Sequence, residues 1–135
     1  MTKQLAQEGT VVLPSNLHEP EDCRAVSEVL SRVGDKWTVL VVWTLGDGPK
    51  RFNELRKALG SISQRMLTFT LRALERDGLV MRTAFATIPP RVDYELTKLG
   101  RSLLGPVSEL GLWARKNRSA IQNARHRYDA HLTRD

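Results

Sequence analysis

The chain has 135 residues, with 21 lysines and arginines against 15 aspartates and glutamates and a net charge of +6. A chain of this length usually forms one domain and buries about two thirds of its unfolded surface, so its core needs neither metals nor disulfides. The longest apolar run, residues 39–43, is far shorter than the roughly 20 residues of a membrane span. No secretory signal follows Met1, and the single cysteine, Cys23, cannot form an internal disulfide. We therefore expect a cytoplasmic protein without a membrane segment.

The first predicted helix follows an irregular segment. Residues 1–20 show no sustained periodicity and contain Pro14 and Pro20, so we predict a flexible N-terminal arm. Glu21 and Asp22 then favour a helix start, because acidic side chains are stabilised near a helix N-terminus. The apolar residues of this helix share one face, and Gly34 is the predicted stop; they are Val26, Val29, Leu30 and Val33.

The second predicted helix begins after Asp35, a typical N-cap residue, and ends before the turn-forming residues 46–49. Trp37, Leu40 and Val41 repeat at helical spacing, but the other sides are also apolar, which predicts a helix buried all round. The β-branched residues of this stretch leave a strand as the alternative.

A short helix, a tight turn and a longer helix come next. Asn53 begins the short helix and Gly60 ends it, while Ser63, or Ser61, caps a helix that continues to residue 77. Three residues of the short helix are predicted to face the core: Leu55, Ala58 and Leu59. Those of the longer helix are Leu67, Leu71 and Leu74.

Residues 80–84 and 92–96 predict two strands around a loop that contains Pro89 and Pro90. Thr97 then caps a last helical region, in which Gly105-Pro106 predicts a kink. Its apolar stripe comprises Leu99, Leu103, Val107, Leu110 and Ala114. We place one domain at residues 21–117 and a C-terminal helical extension, fraying at its end, at residues 118–135.

The positive charge is concentrated in the middle of the chain. Residues 50–91 contain nine basic and three acidic side chains, which equals the net charge of the whole protein. Such a segment is typical of a protein that binds a polyanion. The alternative is a solvated basic surface.

The order of these elements predicts a mainly α-helical, winged helix-turn-helix fold with a two-stranded wing. One face of helix 63–77 is apolar and the other carries polar and basic residues, as a helix in the DNA major groove requires. Because such helices read bases with their N-terminal residues, we predict base contacts from Ser63, Gln64, Arg65 and Thr68. Arg72 and Arg76 are then placed for the DNA backbone. The alternative is the solvent face of an amphipathic helix.

Basic residues beside this helix support the same prediction. Lys50 and Arg51 precede the short helix, whose N-terminal amides also suit a phosphate, so both are predicted backbone contacts. In the wing, Pro90 stiffens the chain before Arg91, which could enter the minor groove or hold a phosphate. An ion pair of Arg91 with Asp93 or Glu95 is the alternative.

Other kinds of site are not indicated by the sequence. His18, His126 and His131 lack the spacing of metal ligands, and no P-loop or catalytic motif is visible. We expect no metal, no cofactor and no enzymatic activity.

The sequence resembles the HxlR-type winged-helix regulators, which are relatives of the MarR group. The resemblance extends from Cys23 to Ala114 and is carried in order by segments 34–37, 51–55, 62–68, 71–80 and 90–97. It implies a homodimeric transcription regulator that binds an inverted-repeat operator in double-stranded DNA. It also implies that helix 63–77 reads the DNA, that residues 80–96 form the wing, and that the N- and C-terminal helices form a dimer seam.

Several relatives sense oxidants, quinones or aldehydes through a cysteine near the start of the first helix, and Cys23 matches that position. A helix N-terminus favours the reactive thiolate, but Glu19, Glu21 and Asp22 oppose it. Cys23 is therefore a candidate thiol sensor for an oxidant or small-molecule effector; an inert thiol at a dimer seam is the alternative. Two rival functions remain for the whole chain: a protein-interaction module, and a non-specific nucleic-acid (RNA) binder.

Overall fold

A computed structural model of the chain describes residues 20–134. The predicted N-terminal arm therefore lies, apart from Pro20, outside the described residues. Within the described residues, 20–36 and 37–134 belong to separate compact units. In the first unit, helix α1 spans Pro20–Val33, as the sequence predicts, and it leaves Val29 and Leu30 about 60% exposed.

The second unit contains the predicted helix-turn-helix and wing, together with a strand that the sequence did not predict. Three antiparallel strands pair in the order Lys50–Arg51, Arg91–Leu96 and Val80–Phe85, so the predicted two-stranded wing has a third, short strand. A two-residue strand cannot show alternation, which is why the pattern missed it. The elements are α2 (Lys36–Leu45), β1 (Lys50–Arg51), α3 (Phe52–Leu59), α4 (Gln64–Arg76), β2 (Val80–Phe85), β3 (Arg91–Leu96), α5 (Lys98–Ser102) and α6 (Leu104–Arg134).

The core joins α2, α3, α4 and the base of the wing. Two expectations about it were wrong: Trp43 on α2 is 40% exposed, so that helix is not buried all round, and Ala58 on α3 is exposed. The α4 residues predicted to face inward are buried. The buried apolar side chains are Val41, Val42, Leu45, Leu55, Ile62, Leu67, Leu71, Leu74, Leu79, Val80, Leu96 and Val107.

The base of the wing is tied together at Thr97. Its hydroxyl donates to the carbonyl of Gly78 at 2.6 Å and accepts from the backbone N–H of Gly100 at 3.1 Å, which caps α5. Gly100 is buried against the carbonyl of Leu79, so closely that a Cβ atom at this position would overlap that oxygen. These contacts fix where the wing begins and ends.

The C-terminal helix differs from its prediction. The helical region breaks at Leu103, which ends α5, and Gly105 and Pro106 lie in the first turn of α6 rather than at a kink. Proline is tolerated there because the first backbone amides of a helix have no intrahelical acceptor. Helix α6 then continues without a break to Arg134. Of the predicted stripe, Val107 is buried, whereas Leu99 and Leu110 are exposed.

Candidate nucleic-acid interface

The turn between α3 and α4 is held by one glycine and one buried side chain. Gly60 has φ +73°, a conformation that residues with a Cβ atom rarely adopt. Two residues later, Ile62 is buried in the core. The turn is therefore short and anchored, and it sets the direction in which α4 leaves the core.

Ser63 is the N-cap of α4. The backbone N–H of Met66 donates to its hydroxyl oxygen at 3.0 Å, so of the two caps that the sequence allowed the structure uses Ser63. This bond satisfies one of the N–H groups that a helix N-terminus leaves without a partner. The side chain predicted to read bases therefore has a structural role at the same time.

The C-terminal end of α4 leads directly into the wing. Gly78 adopts φ +77°, and the N–H of Leu79 donates to the carbonyl of Leu74 at 2.9 Å. This is the bond of a Schellman motif, which ends a helix through a left-handed residue. Since β2 begins at Val80, the wing and α4 form one continuous unit.

The exposed face of α4 forms the wall of a first cleft of about 540 Å³. Three of the four residues predicted to read bases lie in it, and Arg72, predicted to contact the backbone, lies beside them. Phe69 also lies in this cleft and is 63% exposed. The residues of this cleft are Gln64, Arg65, Thr68, Phe69 and Arg72.

A second cleft of about 290 Å³ lies between α4 and the wing. Thr68 and Arg72 line both clefts, so the second continues from the first. Arg82 and Tyr94 come from the wing, and the sequence prediction assigned neither of them to a site. Side chains two residues apart on a strand lie on the same face, so the sequence signal that could have found Arg82 is its spacing from the core residue Val80 on β2. The lining residues are Thr68, Leu71, Arg72, Glu75, Arg82 and Tyr94.

The wing arginine Arg91 has partners within the wing. Its Nε lies 3.3 Å from Oδ1 of Asp93, and its guanidinium lies 4.3 Å from the centroid of the Phe85 ring. The Nε and Oδ1 atoms are buried, and neither has a hydrogen-bond partner among the described residues, so the contact is an ion pair without hydrogen-bond geometry. The sequence left this pairing with Asp93 open as the alternative to a DNA contact. Pro90, before it, is exposed.

The remaining residues that were predicted to contact the DNA backbone lie outside these two clefts. Lys50 and Arg51 form β1, in which Lys50 pairs with Tyr94 and Arg51 with Asp93. The backbone N–H of Arg51 donates to Oε1 of Glu54 at 2.8 Å, so this N–H is already used at the start of α3. Arg76 is exposed in the last turn of α4.

In the first unit, Cys23 is exposed in the first turn of α1. Within residues 20–134, no group of three or more histidine, cysteine or acidic side chains could hold a metal ion. None of the helices described here is long and apolar enough to cross a membrane.

A capped helix that exposes a polar and basic face, connected by a tight turn to the preceding helix and followed by an antiparallel hairpin, defines a winged helix-turn-helix protein. The model of the HxlR-like helix-turn-helix family matches residues 32–122, and the chain belongs to this family of transcriptional regulators. The resemblance noted in the sequence is thereby confirmed.

Similar proteins agree with this assignment. The HTH-type transcriptional regulator YybR of Bacillus subtilis is 39% identical over 110 residues, which are 82% of this chain and 88% of YybR. The structure of the regulator ytfH from Salmonella typhimurium is 38% identical, with a TM-score of 0.70 over 75% of this chain and 90% of ytfH. The redox regulator HypR in its reduced form is 41% identical, with a TM-score of 0.68 over 73% of this chain and 98% of HypR.

Proposed function

We propose that this protein is a sequence-specific, DNA-binding transcription regulator that reads its operator with α4 in the major groove. The observation that carries the proposal is the first cleft, in which one exposed helix face gathers Gln64, Arg65 and Thr68 with Arg72. Arginine pairs with guanine and glutamine with adenine through two hydrogen bonds each, and threonine offers a hydroxyl and a methyl group. Phe69 adds an apolar surface for a thymine methyl group.

The protein acts as a homodimer on an inverted repeat, with half-sites about 10 base pairs apart, one turn of the double helix. The support comes from the apolar side chains that α1 and α6 leave exposed. On α6, Leu110, Trp113 and Tyr128 are more than half exposed and fall near one face of the helix. A second copy of the chain is the partner that would bury such a stripe on both sides at once.

Selection of bound duplexes from a random-sequence pool, followed by fluorescence anisotropy at two salt concentrations, tests the DNA-binding proposal. We expect the selected duplex to bind about a thousandfold or more tightly than a scrambled one. Equal, salt-sensitive binding to both duplexes would instead favour a non-specific nucleic-acid binder. Absence of binding at low salt would remove the regulator mechanism and favour a protein-interaction module.

Arg65→Ala tests base readout at a single residue. We expect a loss of about 1–3 kcal/mol in operator affinity and relaxed specificity at one base pair. Arg101→Ala, on α5, is the matched control because it removes the same exposed charge from another element. Competition with single-base operator variants measures the effect, and equal losses for every variant would contradict base readout by Arg65.

Sedimentation equilibrium tests the dimer. Leu110→Asp places a charge in the exposed stripe of α6 and should give a monomer with weakened operator binding, because a buried unpaired charge disfavours association. Ser119→Asp, on an exposed position of the same helix, controls for the added negative charge. A wild-type protein that is monomeric at micromolar concentration would contradict the homodimer.

Cys23 is the input for an oxidant or electrophile in this proposal. Two observations support this role: the thiol is exposed in the first turn of α1, and a 41% identical neighbour is a redox regulator, HypR. We expect diamide or a quinone to change the operator affinity of the wild type and to leave that of Cys23→Ser unchanged. Unchanged affinity of the treated wild type would remove Cys23 as a sensor.

A further inference from the structure

We propose that Arg72 on α4 and Arg82 on β2 together hold a single phosphate of the DNA backbone in the second cleft. This inference rests on the proposed DNA-binding function and deepens it. It assigns a role to the second cleft and adds Arg82, which the sequence prediction did not include, to the interface.

The strand pairing explains why Arg82 meets the helix. Residues two apart on a strand lie on the same face, so Arg82 shares its face of β2 with buried Val80. Tyr94 lies directly opposite Arg82 on β3, and Lys50 lies opposite Tyr94 on β1. Since α4 packs against β2, this row of side chains faces the helix that carries Arg72.

Both guanidinium groups are available for an anion. Among the residues that the structure describes, neither Arg72 nor Arg82 has an ion-pair partner, in contrast to Arg91, which pairs with Asp93. The carboxylate of Glu75 lines the same cleft without forming an ion pair with either arginine. Two arginines at one cleft supply the forked N–H donors that phosphate oxygens accept best, and the hydroxyls of Thr68 and Tyr94 add two further donors.

The position of the cleft along α4 indicates a phosphate rather than a base. Arg72 lies more than two turns from the N-terminus of α4, whereas base contacts come from the first residues of a recognition helix. The shared phosphate would therefore fix the position of the wing relative to the reading helix.

Salt dependence distinguishes one shared phosphate from two separate ones. Each neutralised phosphate contributes about 0.9 to the slope of log affinity against log salt concentration. We expect Arg72→Ala combined with Arg82→Ala to reduce the slope by about 0.9 in total, and each single change to reduce it by no more than that. A reduction of about 1.8 in the double variant, or an unchanged slope, would overturn the proposal.

A scan with neutral methylphosphonate linkages locates the phosphate. At one position per half-site the neutral linkage should weaken binding of the wild type, weaken it less in each of Arg72→Ala and Arg82→Ala, and have no effect in the double variant. A reduced effect at different positions in the two single variants would overturn the shared site. Arg101→Ala should be weakened by neutral linkages at the same positions as the wild type. Arg82→Lys keeps the charge and should therefore retain the salt slope of the wild type, which would show that the wing still folds when residue 82 is changed.

The experiments can contradict one of the two proposals without contradicting the other. A wild type that binds duplexes without sequence preference, but whose slope falls as expected in the double variant, contradicts only sequence-specific regulation. A sequence preference with an unaffected slope contradicts only the shared phosphate. No duplex binding at low salt overturns both.

Discussion

The indole ring of Trp43 on α2 lies directly against Gly111 on α6. A Cβ atom at position 111 would come within 2.5 Å of ring atoms Cη2 and Cζ3, closer than real Cβ contacts. A residue that looks like a helix-weakening glycine in the sequence thus lets the long helix approach α2. The same contact explains why the Trp43 side chain is packed against α6 although it is 40% exposed.

Gly111→Ala should therefore destabilise the fold. A rigid ring must move, so we expect a loss of about 1–3 kcal/mol in the free energy of unfolding, although alanine is the better helix former. Urea denaturation measures this. Gly105→Ala, where nothing lies within 4 Å, is the control and should be neutral or stabilising. Equal effects of the two changes would contradict the packing argument.

Thr97→Val should weaken the base of the wing. The isosteric change removes the hydroxyl that donates to Gly78 and accepts from Gly100, so we expect a loss of about 1–3 kcal/mol in unfolding free energy. Thr97→Ser keeps both hydrogen bonds and should cost much less. Thermal denaturation followed by circular dichroism compares them, and a serine variant as unstable as the valine variant would argue against the hydrogen bonds.

Ser63→Ala should cost about 1 kcal/mol of stability, because it removes the N-cap acceptor for the N–H of Met66. Ser63→Asp restores an acceptor and places a negative charge near the positive end of the helix dipole, so it should retain stability. Ser61→Ala is the control, since Ser61 was the other possible cap. Chemical denaturation of the three variants gives the comparison; a larger loss for Ser61→Ala would contradict the assigned cap.

Arg91→Ala should weaken binding to all duplexes alike, as expected of a wing residue that contacts the DNA backbone. The contacts with Asp93 and Phe85 predict a second effect, a loss of less than about 1 kcal/mol in stability, since the pair is partly exposed. Arg91→Lys keeps the charge but not the planar contact with Phe85. Anisotropy and denaturation on the same variants separate the two roles, and full affinity of Arg91→Ala would limit this residue to the structure of the wing.

Local patterns predicted most elements of the DNA-binding unit. The apolar period of 3.6 residues located α4 and its buried face, and the glycine at position 60 marked the end of α3 correctly. Capping chemistry restricted the start of α4 to two serines. These features depend on residues a few positions apart, so the sequence carries them directly. The grouping of Gln64, Arg65 and Thr68 follows from the same helical spacing.

The mistakes concern contacts between residues far apart in the chain. The apolar composition of helix α2 predicts burial all round, but burial depends on which neighbours reach each side, and Trp43, which lies against Gly111 of α6, is 40% exposed. The Gly105-Pro106 pair was interpreted as a kink, since the sequence does not show that the preceding helix has already ended at Leu103.

Length, charge distribution and helical period sufficed to identify a basic helix-turn-helix with a wing, because each is a property of the chain or of one short segment. The partners of individual wing residues required the folded chain. Whether an arginine contacts an acid, an aromatic ring or a cleft depends on strand register and on the face of the sheet that packs against α4. Arg91 and Arg82 differ in this respect: one lies against Asp93 and Phe85, and the other lines the cleft with Arg72.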